Sequence, residues 1–440
     1  MPVLEPMKID ERYQYLKRIQ RRYQKAGRKE KSELLTEMET HTGLHRKTLT
    51  RLMNGDLARK PRAQERGPRY GPEVDAALRL IWEALDYVCP ARLTPQLAVT
   101  AKRLATHGEL DLPPSLLEDL ATISISSVRR HLPPQPLVER NRRRPSPPNQ
   151  LQRRIPAYRI PRDIGEPGHL EIDLVHHGGS QPHGEFTYTL QCVDVATSWC
   201  GRRAILGRSY IVMADALHYL FQSWPVSIRQ AHPDNGSEFL NHHLLRFLES
   251  AYPDVKLSRS RPGCPNDNRL VEQKNATGVR RYLGDRRFDT VQQTRFLNRI
   301  YERLDRYANF FLPVMHQIDK FWVPAADGHG GYLRRKHDDA TPPLDRLLAL
   351  KVLDPQLADE LRAERDALNL LQERRLFLAD LDHLFSYSNA APGQTENAFE
   401  TLTDPDLFPE ARAVLAAGDT GDKGNPTFAP CAPSSTATTN

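Results

Sequence analysis

Three things are scarce in this chain of 440 residues, and each scarcity closes a class of answers. Cysteine occurs five times, at Cys89, Cys192, Cys200, Cys264 and Cys431, never with CxxC spacing. Neither a zinc knuckle nor a disulfide framework is supported, and reduced thiols are expected. Long apolar runs are missing too. No stretch approaches the roughly 18 residues that span a bilayer, and the first thirty residues are polar and charged, unlike a secretory leader. No membrane partner is expected, and a cytosolic location is. Acidic residues are scarce where Lys and Arg gather: residues 1–70 carry 18 Lys and Arg against 9 Asp and Glu, and residues 139–162 carry 8 against 1. The whole chain is only +7, so the remainder is acidic by nine charges. Basic arms on an acidic body suit a polyanionic partner, because clustered Lys and Arg release counterions from phosphates.

With 39% hydrophobic residues, the chain has material for two to four domains. The opening "IDERYQYLKRIQRRYQKAGRKEKSELLTEMETHTGLHRKTLTRLMNG" reads as helices. Ser32 is placed to cap a helix bearing Leu34, Leu35 and Met38, and Thr42-Gly43 to turn into a second helix with Leu49, Leu52 and Met53. That helix-turn-helix pattern would present Arg46, Lys47, Thr50 and Arg51 to a major groove, although a helical hairpin with a basic face has the same pattern. A linker is expected over 57–70, then a second helical domain over 71–132. Its end, "SLLEDLATISISSVRRHL", repeats the pattern, with Ser126 as N-cap and Arg129 and Arg130 exposed.

Residues 133–162 combine prolines and arginines and read as an extended basic linker. The texture then changes. "GHLEIDLVHH", "EFTYTLQCVDVAT" and "GRRAILGRS" read as three strands, followed by helix, strand "VSIRQAH", helix 237–251, strand "VKLSRS" and helix 267–283. That order gives a mixed α/β core with a five-stranded sheet over 163–310. A further region covers 311–390, with a helix over about 355–385, and a mostly disordered tail is expected over 391–440.

Three acids stand out in that order. Asp173 lies on the opposite face of its strand from Leu170, Ile172 and Leu174. Asp234 follows the fourth strand, where ligands gather in open α/β sheets, and Glu272 lies one turn into the helix after "RPGCPNDNRL". If the first and fourth strands are neighbours, the three carboxylates meet at one edge. Carboxylates that meet repel one another, and oxygen-preferring divalent cations hold them ionised. Taken singly, each acid has an ordinary alternative as a strand, turn or helix-surface residue.

Together, "GHLEIDLV", "HPDNGSEF" and "PNDNRLVEQKN" resemble the catalytic core of DDE transposases of bacterial insertion sequences, with a retroviral-integrase-type, RNase H-like fold. The resemblance covers roughly residues 160–310. It implies that Asp173, Asp234 and Glu272 are the catalytic, metal-binding triad for two Mg²⁺ ions, with Mn²⁺ as substitute. Thirty-seven residues separate Asp234 from Glu272, slightly more than the mid-thirties usual for the family.

The implied function is strand cleavage and strand transfer on double-stranded DNA, both element ends and target, by a homo-multimer on DNA in the bacterial cytosol or nucleoid. A DNA-binding repressor or domesticated recombinase without strand transfer, and a hydrolytic RNase H-like nuclease, are the alternatives. Around the triad, Gly236 would permit close approach or positive φ, Ser237 would cap the next helix, and Glu238 would lie in its first turn. Asn268 and Asn275 would contact substrate or orient Glu272, and Lys274, Arg280 and Arg281 would meet phosphates. Asp194 falls outside the triad, and His176, His177, His232, His242 and His243 read as packing or substrate contacts. The His/Cys zinc module of the closer retroviral relatives is absent.

Overall fold

The computed structural model describes residues 7, 9–57, 69–133, 154–161, 163–180, 184–236, 238–262, 264–324, 331–391, 393–394 and 396–419. Most of both expected linkers, Ser237, Cys431 and the last 21 residues therefore lie outside the described residues. The chain forms two compact units, Met1–Gly71 with Phe321–Arg334, and Pro72–Lys320 with Arg335–Asn440.

In the first unit, α1 (Ile9–Lys25), α2 (Arg28–Thr42) and α3 (Arg46–Met53) enclose a core of Leu16, Tyr23, Leu34, Leu35, Met38, Leu49, Met53 and Leu57. Gly43 ends α2 at φ 66°, the left-handed conformation that glycine reaches without a Cβ penalty, and its N–H donates to Glu39 O at 2.9 Å. The His45 side chain then caps α3 by accepting from Lys47 N at 3.2 Å. Two helices joined by a short turn are present, but Ser32 is not a cap, because α2 starts at Arg28 and Ser32 lies inside it.

The second unit opens with α4 (Pro72–Ala84), α5 (Pro90–Leu93), α6 (Leu97–Thr106), α7 (Pro114–Thr122) and α8 (Ile125–His131). Ser124, not Ser126, caps α8, accepting from Ser127 N at 3.2 Å. Residues from Pro72 on share one compact unit with the α/β core, and buried polar contacts join the two. Asp86 accepts from Tyr282 Oη at 2.6 Å and pairs with Arg281, and Tyr307 Oη donates to Ala84 O at 2.6 Å.

The sheet follows: β1 (His169–His176), β2 (Thr187–Asp194), β3 (Cys200–Leu206), α9 (Tyr210–Gln222), β4 (Gln230–Pro233), α10 (His242–Ala251) and β5 (Lys256–Leu257). The five strands are ordered β3-β2-β1-β4-β5, the first three antiparallel, β4 parallel to β1 and β5 parallel to β4. Short connections suffice between antiparallel strands, whereas each parallel step needs a crossover, supplied by α9 and α10. The expected mixed five-stranded sheet is present. Residues 154–161 depart from the linker expectation, since Ala157 bridges Arg259 beside β5 and Ile155 and Ile160 are buried.

Leu170, Ile172, Leu174, Leu190, Cys192 and Ile205 face the apolar side of α9 and α10. The other face is covered by α11 (Arg269–Lys274), a π-helical turn (Asn275–Arg280), α12 (Arg281–Leu283) and the long α13 (Val291–Phe311). Thr290 and Gln293 form a reciprocal capping box at the start of α13. This helix also solves an edge problem, since β3 ends the sheet and its outward backbone groups need partners. Asn298, Asp305 and Asn309 on α13 accept from Ala204 N, Arg202 N and Cys200 N at 2.7, 2.8 and 2.9 Å.

Beyond α13, β6 (Gln317–Pro324) and β7 (Gly331–His337) form a two-stranded sheet, followed by α14 (Pro343–Ala349), α15 (Pro355–Ala367), α16 (Leu370–Ser386) and α17 (Pro409–Asp419). The helix expected over 355–385 is two, because Asn369 stops one and caps the next. Nor is residue 391 the start of a disordered tail: Phe408 and Ala411 join the core, and Thr403 N and Asp404 N donate to the buried Asp215 on α9. No helix among the described residues is long and apolar enough to cross a membrane.

Candidate active site

The site begins with a strand register. In the parallel pair of β1 with β4, His169 lies beside Gln230 and each following pair advances in step to Ile172 beside Pro233. β4 ends at that pair, and the same register carried one residue further sets Asp173 beside Asp234. Neighbouring strands lie about 4.8 Å apart, so residues 61 positions apart in sequence share one sheet edge. Both are half-buried. Asp234 Oδ1 accepts from Gly236 N at 2.8 Å, a turn in which the side chain holds its own backbone. Asn235 is tied in turn to Ser260 O at 2.9 Å and to Arg259 Nη1 at 2.8 Å.

Glu272 arrives on α11, which is fastened to β1 at two points. Glu171 Oε2 accepts from Leu270 N at 2.7 Å and Val271 N at 3.1 Å. Asn275 Nδ2 donates to Asp173 Oδ2 at 2.5 Å, while Asp173 Oδ1 accepts from Leu174 N at 2.8 Å. Asn268 Nδ2 reaches Ile172 O at 3.3 Å. Glu272 sits between these fastenings, three residues before a π-helical turn, a distortion frequent near functional sites. Gly278 lets the turn lie close on β3, since a Cβ there would fall 2.4 Å from Arg202 Nη2.

The electrostatics follow from this crowding. Partial burial, then the negative charge of Asp234, raises the Glu272 pKa, and Arg280 opposes them. Burial pushes Glu171 up to about 7, against the two amides it accepts from and against Arg159. Hard carboxylate oxygens on Asp173, Asp234 and Glu272 suit Mg²⁺ or Mn²⁺ by chemistry. The buried Oδ1 atoms of Asn268 and Asn275 have no hydrogen-bond partner among the described residues, so further oxygen donors lie beside Asp173. Among the described residues, no group of three or more His, Cys, Asp or Glu is arranged to hold a metal. The donor types fit a hard cation, and the set is open.

Other expected site residues are dispersed. Arg280 is exposed and within the electrostatic reach of Glu272. Arg281 instead pairs with Asp86 at 3.0 Å, and Lys274 is half-buried, its pKa lowered by burial beside Arg202. Arg46 turns back on its own unit, donating to Ser32 Oγ at 2.7 Å and Thr36 Oγ1 at 2.9 Å. Lys47, Arg51, Arg129 and Arg130 are exposed. Gly236 has no positive φ, and the helix after it starts only at His242 with Asn241 as cap, so Glu238 precedes that helix. Asp194 is buried, bracing Gly168 N at 2.6 Å and Thr197 N at 2.8 Å. His177 and His232 are buried and bond Thr189 and Ser258. His243 stacks on Tyr210, His176 packs against Tyr188, and His242 is exposed.

Comparison with known proteins gives one sequence relative of clear standing. A Sinorhizobium fredii protein described as "Uncharacterized protein y4rM" is 31% identical over 342 residues, covering 76% of this chain and 94% of that protein. The chain belongs to the y4rM family. No protein-family model matches it. Among solved structures, the catalytic core domain of BIV integrase is similar at 17% identity and a TM-score of 0.20, covering 25% of this chain and 64% of that one.

In this y4rM-family chain, Glu171 is the site residue that sequence reasoning passed over. The alternation along β1 puts it on the same face as Asp173, and α11 packs on β1 there, leaving Glu171 2% exposed. A second acid two residues before a candidate metal ligand, on the same face of one strand, is the available signal.

Proposed function

We propose that this protein is a DNA transposase of the DDE type, binding element ends through its N-terminal helices and cleaving and joining strands at Asp173, Asp234 and Glu272. The parallel register that brings Asp234 level with Asp173, beside a helix fastened to the same strand and bearing Glu272, is the observation that carries this reading. The mixed sheet, with its three antiparallel strands and two parallel ones, is consistent with the RNase H-like core that the motifs imply.

Asp173, Asp234 and Glu272 would hold Mg²⁺ or Mn²⁺, which when bound supplies the positive charge for phosphodiester displacement by water or a 3′-hydroxyl. The chain's own part is positioning. Asn275 and Leu174 N hold the Asp173 carboxylate in one orientation, and Gly236 N does the same for Asp234. Arg280, close enough to act on the charge of Glu272, would meet phosphate oxygens beside it. Lys47 and Arg51 on α3, and Arg129 and Arg130 on α8, are exposed cations suited to the DNA backbone or groove. Because two ends must be held together, the working form on DNA would be a multimer.

The test is to incubate the full chain with Mg²⁺ and the terminal repeats that flank its gene. Joined products are expected. Cleavage without joining would favour a nuclease, and binding without cleavage a repressor. Asp234→Asn should abolish both steps while leaving end binding within about 3-fold, since it removes a charge at the reacting centre and not a cation of the DNA surface. Full activity in that variant would defeat the assignment.

A further inference from the structure

Helix α11 lacks a cap of its own. The first four N–H groups of a helix need acceptors from outside its ladder, yet the residue at its N-cap position, Asn268, makes no capping bond and turns its amide to Ile172 O instead. The acceptor comes from 99 and 100 positions away, in Glu171, whose single oxygen Oε2 takes both Leu270 N and Val271 N. Glu171 and Asp173 lie two residues apart on one strand and so point to one face. Together they grip the helix at 270–271 and at 275, on either side of Glu272.

We propose that Glu171 is a positioning residue: its carboxylate caps the helix that carries Glu272 and so sets how far that acid reaches toward Asp173 and Asp234. This rests on the reading of the three acids as the reacting centre. Two features make the role positional. The oxygen reaches the helix across a packed, buried interface, so shortening the side chain withdraws the cap while keeping the charge. Among the described residues, the Glu272 side chain has no hydrogen bond or ion pair to fix it, and its placement follows from the helix. A displacement of about 1 Å at a reacting group costs up to roughly 100-fold in rate.

The experiment compares Glu171→Gln, Glu171→Asp and Glu171→Ala with the parent chain in two assays. The first is strand cleavage with Mg²⁺. The Gln variant keeps an acceptor at full reach and should retain kcat within about 3-fold, while the Asp and Ala variants should lose roughly 10- to 100-fold in kcat with KM for DNA unchanged. An Asp variant as active as the Gln variant would overturn the proposal, because the reach of the side chain would then not matter. The second assay is hydrogen exchange of the metal-free protein over residues 269–280, with α9 as internal reference. Protection should rank parent and Gln above Asp and Ala, and equal protection in all four would overturn the proposal. If the parent chain neither cleaves nor joins DNA, the functional reading falls, and the exchange ranking still decides whether Glu171 fixes the helix. If the Ala variant does not fold, the Gln and Asp pair carries both assays.

Discussion

Replacing Gly278 by alanine should destabilise the second unit, against the ordinary helical preference. In a helix, alanine is favoured over glycine by about 1 kcal/mol. Here the new Cβ would stand 2.4 Å from Arg202 Nη2, a separation that no real Cβ contact sustains. The guanidinium is 3% exposed and cannot swing aside freely: it pairs with Asp305, and its Nε donates to Gln191 Oε1 at 3.2 Å. Overpacking of this kind costs about 1 to 3 kcal/mol, and breaking a buried ion pair about 3 to 5. Less the helical gain, overpacking alone leaves a net loss of up to roughly 2 kcal/mol, and displacing the guanidinium from Asp305 would raise it to roughly 2 to 4. Urea denaturation reads this as a lower midpoint at unchanged slope. Arg202→Met supplies the control, because without the guanidinium the same Gly278→Ala change should be neutral or stabilising. An equal cost in both backgrounds, or a stabilised single variant, would refute the reasoning.

The neighbouring arginines of the same helix should separate binding from stability. Arg280→Ala should leave stability within about 0.5 kcal/mol but weaken DNA binding and lower the salt slope by about 1, whereas Arg281→Ala, which strips a partner from the buried Asp86, should lower the melting temperature; the opposite pattern in filter binding and thermal melts would undo both assignments. Acid should expose His177. Burial lowers its pKa to about 3, below the unfolded value near 6.5, so the unfolded chain binds the proton first and stability falls as pH drops from about 6.5 toward 3. At pH 5 this amounts to about 2 kcal/mol, and His177→Gln should flatten that part of the denaturation profile. Glu171 acts with the opposite sign, its raised pKa of about 7 favouring the fold as pH falls toward 4.5, so the difference between variant and parent is the quantity to plot; parallel profiles would rule the histidine out.

Much of this architecture was legible because it is written locally. The aliphatic alternation of Leu170, Ile172 and Leu174 fixes one face of β1, and the Asn235-Gly236 turn marks where β4 must stop, which places Asp234 at a strand end. The unread parts depend on groups brought together from far away. Several Ser, Thr and Asp residues can serve as a helix cap, and only packing chooses among them; hence Ser124 where Ser126 also fits, and a buried glutamate from another strand at α11. Phe399, Leu402 and Phe408 are too sparse among polar neighbours to announce a packed element, and they gain order only by covering α9 and α10. Lys274, Arg280 and Arg281 are all expected at phosphates from the sequence, yet Lys274 is half-buried and Arg281 pairs with Asp86, contacts that no local pattern announces. A helix that changes phase just after Glu272 can aim that acid at the sheet edge while sending the cations after it in different directions. Arg280 lies within electrostatic reach of Glu272, and Arg281, adjacent in sequence, extends instead to pair with Asp86.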